Sequence, residues 1–300
     1  MSGATPPAAP GPQGLPGEAE LDELRRVAVR AAAAAGELVR TGRPDRVEVA
    51  ATKSTPTDVV TAMDTASEEL LLELLAELRP HDGVLGEEHG HRPGTSGLTW
   101  VVDPVDGTVN YLYGLRAYAV SVACVLDPVA GAGRPDPATW VPLAGCVHDP
   151  TSGEVFSAAR GRGASLSSPE GERALRAHRD VALDRALVAT GFGYDPVRRA
   201  EQAAVLAALL PRVRDVRRIG SAALDLCWVA AGRLDAYYER GLKPWDLAAG
   251  ALVAAEAGAL VTGFDGGPAG GEGLLAAGPG LHPALLAELA ESAESARPAT

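Results

Sequence analysis

The sequence predicts an α/β fold in which helices and sheets pack in layers. Two long segments with apolar residues at helical spacing come first, and short apolar runs typical of an antiparallel meander follow them. After about residue 185, strand-like and helix-like segments alternate. This order of elements indicates layered packing with a subdomain boundary near residue 185.

The first half of the chain contains the two helices and the meander. Leucines, valines and alanines at helical spacing predict a helix from Glu18 to about Thr41. A second helix is expected from a cap at Asp64 to Arg79, because Pro80 stops it. The apolar runs predicted as strands are 84–86, 100–102, 119–126, 140–149 and 154–159.

The second half predicts further helices and strands in alternation. The strands are expected at 186–192, 234–239 and 259–264, and the helices at 196–210, 221–231 and 247–257. We therefore expect an α+β subdomain at 18–185 and an α/β subdomain at 186–292. The Pro/Gly/Ala-rich segment 1–17 predicts a disordered tail, and 293–300 a frayed end.

Composition narrows the class of protein. The 300 residues carry 39 acids and 27 bases, and a net charge of −12 disfavours nucleic-acid binding. No apolar run approaches the ~18 residues of a membrane span, and the N-terminus lacks the pattern of a secretory signal. Three cysteines without a CxxC pair are typical of a reducing compartment, so we expect a cytoplasmic protein.

Carboxylates cluster where loops leave the predicted strands. Glu87 follows the run at 84–86, Asp103 follows the run at 100–102, and Asp246 precedes an apolar helix. Strand ends and helix N-termini are where α/β proteins gather ligands. Each acid alone also fits a turn, an N-cap or a solvated loop. Together they form a set of oxygen ligands of the kind that Mg²⁺ takes.

The segment DPVDGT at 103–108 has the composition of a phosphate site. Asp103 and Asp106 can turn inward on one tight loop with the Val105 carbonyl between them. Gly107 allows a phosphate to approach, and the amides of Gly107 and Thr108 can open a short helix that holds it. Metal ions on these acids would activate water, stabilise the leaving oxygen and offset the acidic charge of the protein.

Motifs of other chemistries are missing. The chain has no GxxxxGK[ST] loop, no GxGxxG after a strand and no GxSxG elbow. A zinc site is one interpretation of His89 and His91, which lie beside Glu87 and Glu88. A polar loop is the favoured interpretation, because no second His pair accompanies them.

Four blocks in order resemble the inositol monophosphatase family, which comprises magnesium-dependent, lithium-sensitive phosphomonoesterases. The blocks are 53–64, 86–90, 100–111 and 220–250, and the resemblance covers roughly residues 20–265. It implies an αβαβα five-layer sandwich of the inositol monophosphatase and fructose-1,6-bisphosphatase type, usually a homodimer. It also implies two to three Mg²⁺ ions per subunit.

The resemblance implies a role for each matching residue. The residues that it places around the ions are Glu87, Asp103, the Val105 carbonyl, Asp106 and Asp246. Thr108, hydrogen-bonded to Asp64, would orient or deprotonate the attacking water together with Glu87. Those that it places at the substrate are Asp106, Gly107, Thr108, Gly220, Ser221, Ala222, Glu239 and Asp246. Lys53 and Asp58 would support the site; a plain surface ion pair is the alternative.

The expected reaction is hydrolysis of inositol-1-phosphate to inositol and phosphate. The metal blocks are shared with histidinol-phosphate, fructose-1,6-bisphosphate and 3′-phosphoadenosine phosphatases, so these activities stay as alternatives. The segment VNYLYG after DGT, with Asn110, resembles the inositol-phosphatase branch rather than the nucleotide branch. Glu239 in AYYE favours a polyol leaving group, since a carboxylate accepts hydrogen bonds from neighbouring hydroxyls. We expect a small phosphorylated polyol and a second copy of the chain as partners, without nucleic acid or membrane. A non-catalytic regulatory binding protein is the alternative from another class, and the loop 127–139 has no assigned purpose.

Overall fold

The structure, a computed structural model, describes residues 14–127 and 134–295 of the chain. Most of the tail predicted at 1–17 lies outside these residues, as do part of the loop 127–139 and the end of the tail predicted at 293–300. Residues 293–295 belong to the last helix. The subdomain division at residue 185 stays a prediction.

The helices of the described chain largely follow the apolar periodicity. They are α1 (Glu18–Thr41), α2 (Ala62–Leu78), α3 (Thr108–Tyr113), α4 (Pro196–Leu209), α5 (Ala222–Ala230), α6 (Pro244–Glu256) and α7 (His282–Ser295). The predicted bounds of α1 are confirmed, because its buried side chains recur every three or four residues along one stripe. None of these helices carries an apolar stretch of the length that a lipid bilayer requires.

Two predicted helix starts were wrong. Thr61, not Asp64, is the N-cap of α2. Asp64 is the third residue of the helix, and its side chain accepts a hydrogen bond from the Thr61 amide at 2.9 Å, which forms a capping box. The last helix residue is Leu78, with Arg79 as the C-cap. Helix α6 begins at Pro244 rather than Leu247, because proline is favoured in a first turn whose amides need no partner.

An eight-stranded sheet contains the predicted meander. Its strands are β3 (Gly83–Gly86), β4 (Gly90–Arg92), β5 (Leu98–Asp106), β6 (Ala119–Leu126), β7 (Val141–Asp149), β8 (Glu154–Ala159), β9 (Ala164–Ser168) and β10 (Gly171–Ala174), in the order β10-β9-β8-β7-β6-β5-β3-β4. Only the β3–β5 pair is parallel. A two-stranded ribbon, β1 (Ala51–Thr52) and β2 (Val59–Val60), precedes it.

A five-stranded sheet follows in the second half. Its strands are β11 (Leu187–Thr190), β12 (Asp215–Arg217), β13 (Ala236–Glu239), β14 (Leu260–Thr262) and β15 (Leu274–Ala277), in the order β12-β11-β13-β15-β14. Strand β11 is parallel to both of its neighbours, whereas β15 is antiparallel to its own. The sheet therefore has a parallel half and an antiparallel half.

Helices and sheets alternate in five layers. Helices α1 and α2 cover one face of the eight-stranded sheet, and α5 and α6 lie between its other face and the five-stranded sheet. Helices α4 and α7 close the far face of the five-stranded sheet. The order is αβαβα, as the resemblance implied, and the apolar cores lie at the layer interfaces.

Candidate active site

Strand β5 ends in an irregular segment that presents two acids. Its pairing with β6 is regular up to Asp103 and resumes at Asp106 with a shifted register. The Val105 amide donates a hydrogen bond to Asp103 Oδ1 at 3.0 Å, which fixes the tight loop between them. Such irregularities redirect side chains near functional sites.

Gly107 links this loop to α3 in a conformation that requires glycine. Its φ is +98°, and a β-carbon there would lie 2.9 Å from the Ala117 carbonyl oxygen and 3.1 Å from that of Gly220. Both neighbours are backbone atoms, which a small side-chain movement cannot displace. The segment 103–108 is therefore held between the 117–118 loop and the start of α5.

Thr108 stands in front of a buried acid. Its hydroxyl donates to Asp64 Oδ1 at 2.8 Å and lies 3.0 Å from the Val105 carbonyl oxygen. Asp64 is fully buried, and its other oxygen is held by the Thr61 amide. Burial raises the pKa of Asp64, which makes this carboxylate a strong acceptor for the Thr108 proton. The hydrogen bond that the resemblance implied is present.

Four acids from three elements face one another beside Thr108. Glu87 follows β3, Asp103 and Asp106 lie on β5, and Asp246 lies in the first turn of α6. Burial raises the pKa of Glu87 to about 7 and that of Asp106 to about 6. The pKa values of Asp103 and Asp246 are raised well above their ordinary values, first by burial and then by repulsion from Glu87 and Asp106.

The donor set fits a hard divalent cation. Carboxylates that repel one another when buried gain stability from a cation among them, and oxygen ligands of this kind suit Mg²⁺. Among the described residues, no three carboxylate, imidazole or thiol groups lie close enough to form a ligand shell by themselves. The acids therefore surround a space that a cation and its waters could fill, rather than a closed ligand cage.

Lys53 supplies positive charge to these acids from the ribbon at 51–60. Its Nζ lies 2.6 Å from Glu87 Oε1 and 2.6 Å from Glu88 Oε1. Burial lowers the pKa of Lys53, but attraction and hydrogen bonds from Glu87 and Glu88 outweigh it and raise the pKa above its ordinary value. Asp58 instead accepts hydrogen bonds from Ser54, so Lys53 and Asp58 do not form the surface ion pair that was the alternative.

Residues at the start of helix α5 donate hydrogen bonds to Asp106. Asp106 Oδ2 accepts hydrogen bonds from the Ser221 hydroxyl at 2.6 Å and from the Ala223 amide at 2.7 Å. Asn110 donates to the Ala117 carbonyl at 2.7 Å and to the Ile219 carbonyl at 2.9 Å. Asn110 thus braces the loops of the site, whereas the sequence indicated only a family preference at this position.

Glu239 lies at the end of β13, across the site from β5. The Tyr237 hydroxyl donates to its Oε2 at 2.6 Å, and burial raises the pKa of Glu239 to about 7. Gly191, after β11, packs so closely on this carboxylate that any β-carbon there would overlap it. The backbone is therefore shaped around the Glu239 side chain.

One cavity of about 960 Å³ collects the predicted site residues. Those that line it are Lys53, Asp58, Glu87, Asp103, Val105, Asp106, Gly107, Thr108, Gly220, Ser221, Ala222, Glu239 and Asp246. Asp64 lies behind Thr108. A second groove of about 680 Å³, beside the start of β11, contains none of them.

The cavity also has wall residues that the sequence analysis missed. They are Phe192, Tyr194, Arg198, Arg199, Asp225 and Trp245, among others. The first four lie in the segment 191–195 or at the start of α4, where no motif marks them, and the last two lie inside the block 220–250 without an assigned role. Arg218, just before that block, also lines the cavity; from the sequence, a phosphate or dimer contact and a solvated face were equal alternatives for it. Asp225 had a signal, since it is an acid inside the apolar run AALDLCWVA, which was predicted only as a helix.

The comparisons with known proteins agree with this geometry. The model of the inositol monophosphatase family matches residues 20–296. The chain belongs to the inositol monophosphatase family. An inositol-1-monophosphatase of Mycobacterium leprae is 54% identical over 79% of this chain and 80% of that protein. The chain is therefore a phosphatase by family.

Two further relatives bear on fold and function. The structure of Mycobacterium tuberculosis SuhB has a TM-score of 0.75 and 46% identity, covering 90% of this chain and 97% of that one. A protein of Escherichia coli named Nus factor SuhB is 39% identical over 81% of this chain and 86% of its own length. Relatives in this family thus carry two kinds of name, one of them enzymatic.

Proposed function

We propose that this phosphatase hydrolyses inositol-1-phosphate to inositol and phosphate with Mg²⁺ as its cofactor. The observation that carries the proposal is the cavity in which four mutually repelling acids meet the Thr108–Asp64 pair. Acids of this type serve metal-assisted phosphoryl transfer, and an oriented hydroxyl serves to position water.

Glu87, Asp103, the Val105 carbonyl, Asp106 and Asp246 would hold two to three ions. Mg²⁺ bound there supplies positive charge against the phosphate and makes water a better nucleophile. Asp106 can bind a cation through one oxygen only, because its Oδ2 is already engaged by Ser221 and Ala223.

Thr108 and Glu87 would handle the attacking water. The Thr108 proton points to Asp64, so the hydroxyl oxygen keeps a lone pair that can accept a hydrogen bond from water. Glu87 lines the same cavity, and its carboxylate can accept a hydrogen bond or a proton from this water. Lys53 holds the Glu87 carboxylate in place from the rim of the cavity.

The start of α3 would hold the phosphate, and the opposite wall the leaving group. The first amides of a helix have no acceptor within the helix, and Gly107 and Thr108 line the cavity at this point. The backbone at 220–222 and the Glu239 carboxylate face the same cavity and can bond the hydroxyls of a polyol.

A substrate panel tests the proposal. Phosphate release with Mg²⁺ is measured from inositol-1-phosphate, fructose-1,6-bisphosphate, histidinol phosphate and 3′-phosphoadenosine-5′-phosphate. We expect preference for the first, loss of activity with EDTA and inhibition by Li⁺. Turnover of another member in preference would keep the metal chemistry and refute the substrate. The proposed homodimer and cytoplasmic location are tested by light scattering and by cell fractionation.

A second candidate function is the one named in the relatives called Nus factor. It would use the same fold to contact other macromolecules, with or without catalysis. Asp103→Asn separates the two, because Asp103 is buried among the acids of the cavity and is not exposed on the protein surface. We expect phosphate release to fall by about 100-fold or more in this variant, while a purely structural role would survive.

A further inference from the structure

Asp225 on α5 is a buried acid that the fold does not satisfy. Only 2% of its surface is exposed, and its Oδ1 is sealed from solvent without a hydrogen-bond partner. Of the sealed, unpartnered polar side-chain atoms in the described residues, it is the only carboxyl oxygen. Acids in the interior normally find donors, so an unpaired one needs an explanation.

Other buried acids of this protein show what a structural carboxyl looks like here. Asp82 accepts from Arg79 at 2.7 Å, from Ser96 at 2.6 Å and from the Trp100 indole at 3.0 Å. Glu68 accepts from the amides of residues 88 and 89, both at 2.8 Å. By this standard Asp225 contributes nothing to the fold that an apolar side chain would not.

The position of Asp225 gives it a function. It lies in the wall of the 960 Å³ cavity together with Ser221, Ala222 and Glu239, where the start of α5 and the end of β13 meet the cavity. Helix α5, which carries Asp225, packs against β13, which ends at Glu239. Burial, and then repulsion from Glu239, raises the pKa of Asp225 well above its ordinary value. Glu239 already accepts one donor, from Tyr237.

Two neighbouring carboxyls at this end favour a particular leaving group. In either protonation state a carboxyl keeps an oxygen that can accept a hydrogen bond. Adjacent hydroxyls on a neutral polyol bring two donors to two acceptors. A leaving group with a second phosphate would be repelled, and one without hydroxyls would leave Asp225 unpaired.

We propose that Asp225 is a specificity-determining residue, which pairs with Glu239 to bind adjacent hydroxyls of a neutral polyol leaving group. This rests on the proposed function, because it deepens the substrate class of the same cavity. Its unpaired oxygen is the acceptor for a substrate hydroxyl, which reaches it when the Asp225 side chain turns toward the cavity that it lines.

The test compares Asp225→Leu and Asp225→Asn with the unchanged protein. The two substrates are inositol-1-phosphate and p-nitrophenyl phosphate, whose leaving group has no hydroxyl donors next to the ester. The measured quantity is the ratio of kcat/KM for the polyol to that for the aryl phosphate. We expect the leucine variant to lower this ratio by about 10-fold or more, chiefly through KM, because these bonds form away from the reacting phosphorus. The asparagine variant keeps one acceptor and should lose less.

Thermal unfolding separates this role from a structural one. Both variants should melt no lower than the unchanged protein, since they remove an unpaired buried acid. Asp184→Asn, an exposed position in the 3-10 turn at 183–185, is the matched control and should change neither quantity. A lower melting temperature together with an unchanged substrate ratio would overturn the proposal.

The outcomes distinguish this inference from the proposed function. If the unchanged protein prefers fructose-1,6-bisphosphate to inositol-1-phosphate, the proposed substrate fails, and the ratio is measured with glycerol-1-phosphate, whose neutral leaving group has two adjacent free hydroxyls. If the leucine variant leaves that ratio unchanged, or if no neutral polyol phosphate is hydrolysed, the role of Asp225 fails.

Discussion

Gly107→Ala tests whether the backbone between the two acids and α3 is the element that shapes the site. A β-carbon in the left-handed region costs about 1–2 kcal/mol. At a φ of +98° it would also press on the Ala117 and Gly220 carbonyl oxygens at 2.9 and 3.1 Å, and such overpacking adds roughly 1–3 kcal/mol. We therefore expect the free energy of unfolding to fall by roughly 2–5 kcal/mol.

Gly258→Ala is the matched control. Gly258 has nearly the same backbone conformation, with φ at +94°, but nothing lies within 4 Å of its missing β-carbon. This variant should lose only the conformational part, about 1–2 kcal/mol, so the difference between the two variants measures the crowding alone. Denaturant unfolding followed by circular dichroism gives both values.

Activity is the second readout of this pair. Relief of the crowding must move residues 103–108, and a displacement of about 1 Å at a catalytic group can lower the rate by ~100-fold. We expect Gly107→Ala to lose activity on that scale, measured at a temperature where it is folded, and Gly258→Ala to keep it. Equal unfolding free energies and equal activities in the two variants would refute the reasoning.

Three other perturbations have expected outcomes. Thr108→Val and Asp64→Asn should each lower kcat by about 100-fold or more in steady-state kinetics. The double variant should lower kcat little further, because the two residues act as one unit, and additive losses would contradict this. Burial lowers the pKa of His148, so the stability it gives is complete above its ordinary pKa and is lost as the pH falls below that value. Denaturant titrations should therefore show that the free energy of unfolding falls more between pH 7.5 and pH 5 in the unchanged protein than in His148→Gln. Equal decreases in the two proteins would show that His148 does not cause the pH dependence. Mg²⁺ at 100 times its Kd should add about 2.7 kcal/mol of stability, and clearly less in Asp103→Asn at the same concentration, as differential scanning fluorimetry would show.

The parts of the fold that the sequence predicted are those with long or strongly apolar patterns. Helix α1 has a continuous buried stripe, and strands β6 to β8 are mostly apolar runs between turn residues. The β9–β10 hairpin was missed, since β10 is fully exposed and the alternation in β9 covers only five residues, three of them serines. Strand β15 was missed because it is four residues long and follows a glycine-rich segment.

The motif residues of the site were predictable because the family keeps them in contiguous blocks. Their contacts were not, since these join segments far apart in the chain. Lys53 meets Glu87 across 34 positions, and Asp106 meets Ser221 across 115. Asp225 could not be predicted as a site residue either. An acid among apolar neighbours in the sequence does not show whether the fold supplies it with hydrogen-bond donors.

The buried acids of this protein fall into two groups: some stabilise the fold through hydrogen bonds, and others face the cavity. Asp82 and Glu68 are buried with full sets of donors, and they secure strands and loops of the eight-stranded sheet. Asp103 and Asp225 are equally buried, yet the first faces other acids and the second faces no donor. Buried acids that repel one another or lack donors oppose folding, so a cation beside Asp103 and hydroxyl donors beside Asp225 would each stabilise the folded chain. Binding energy is then available at both positions, because Asp103 faces other acids and Asp225 Oδ1 has no donor from the fold.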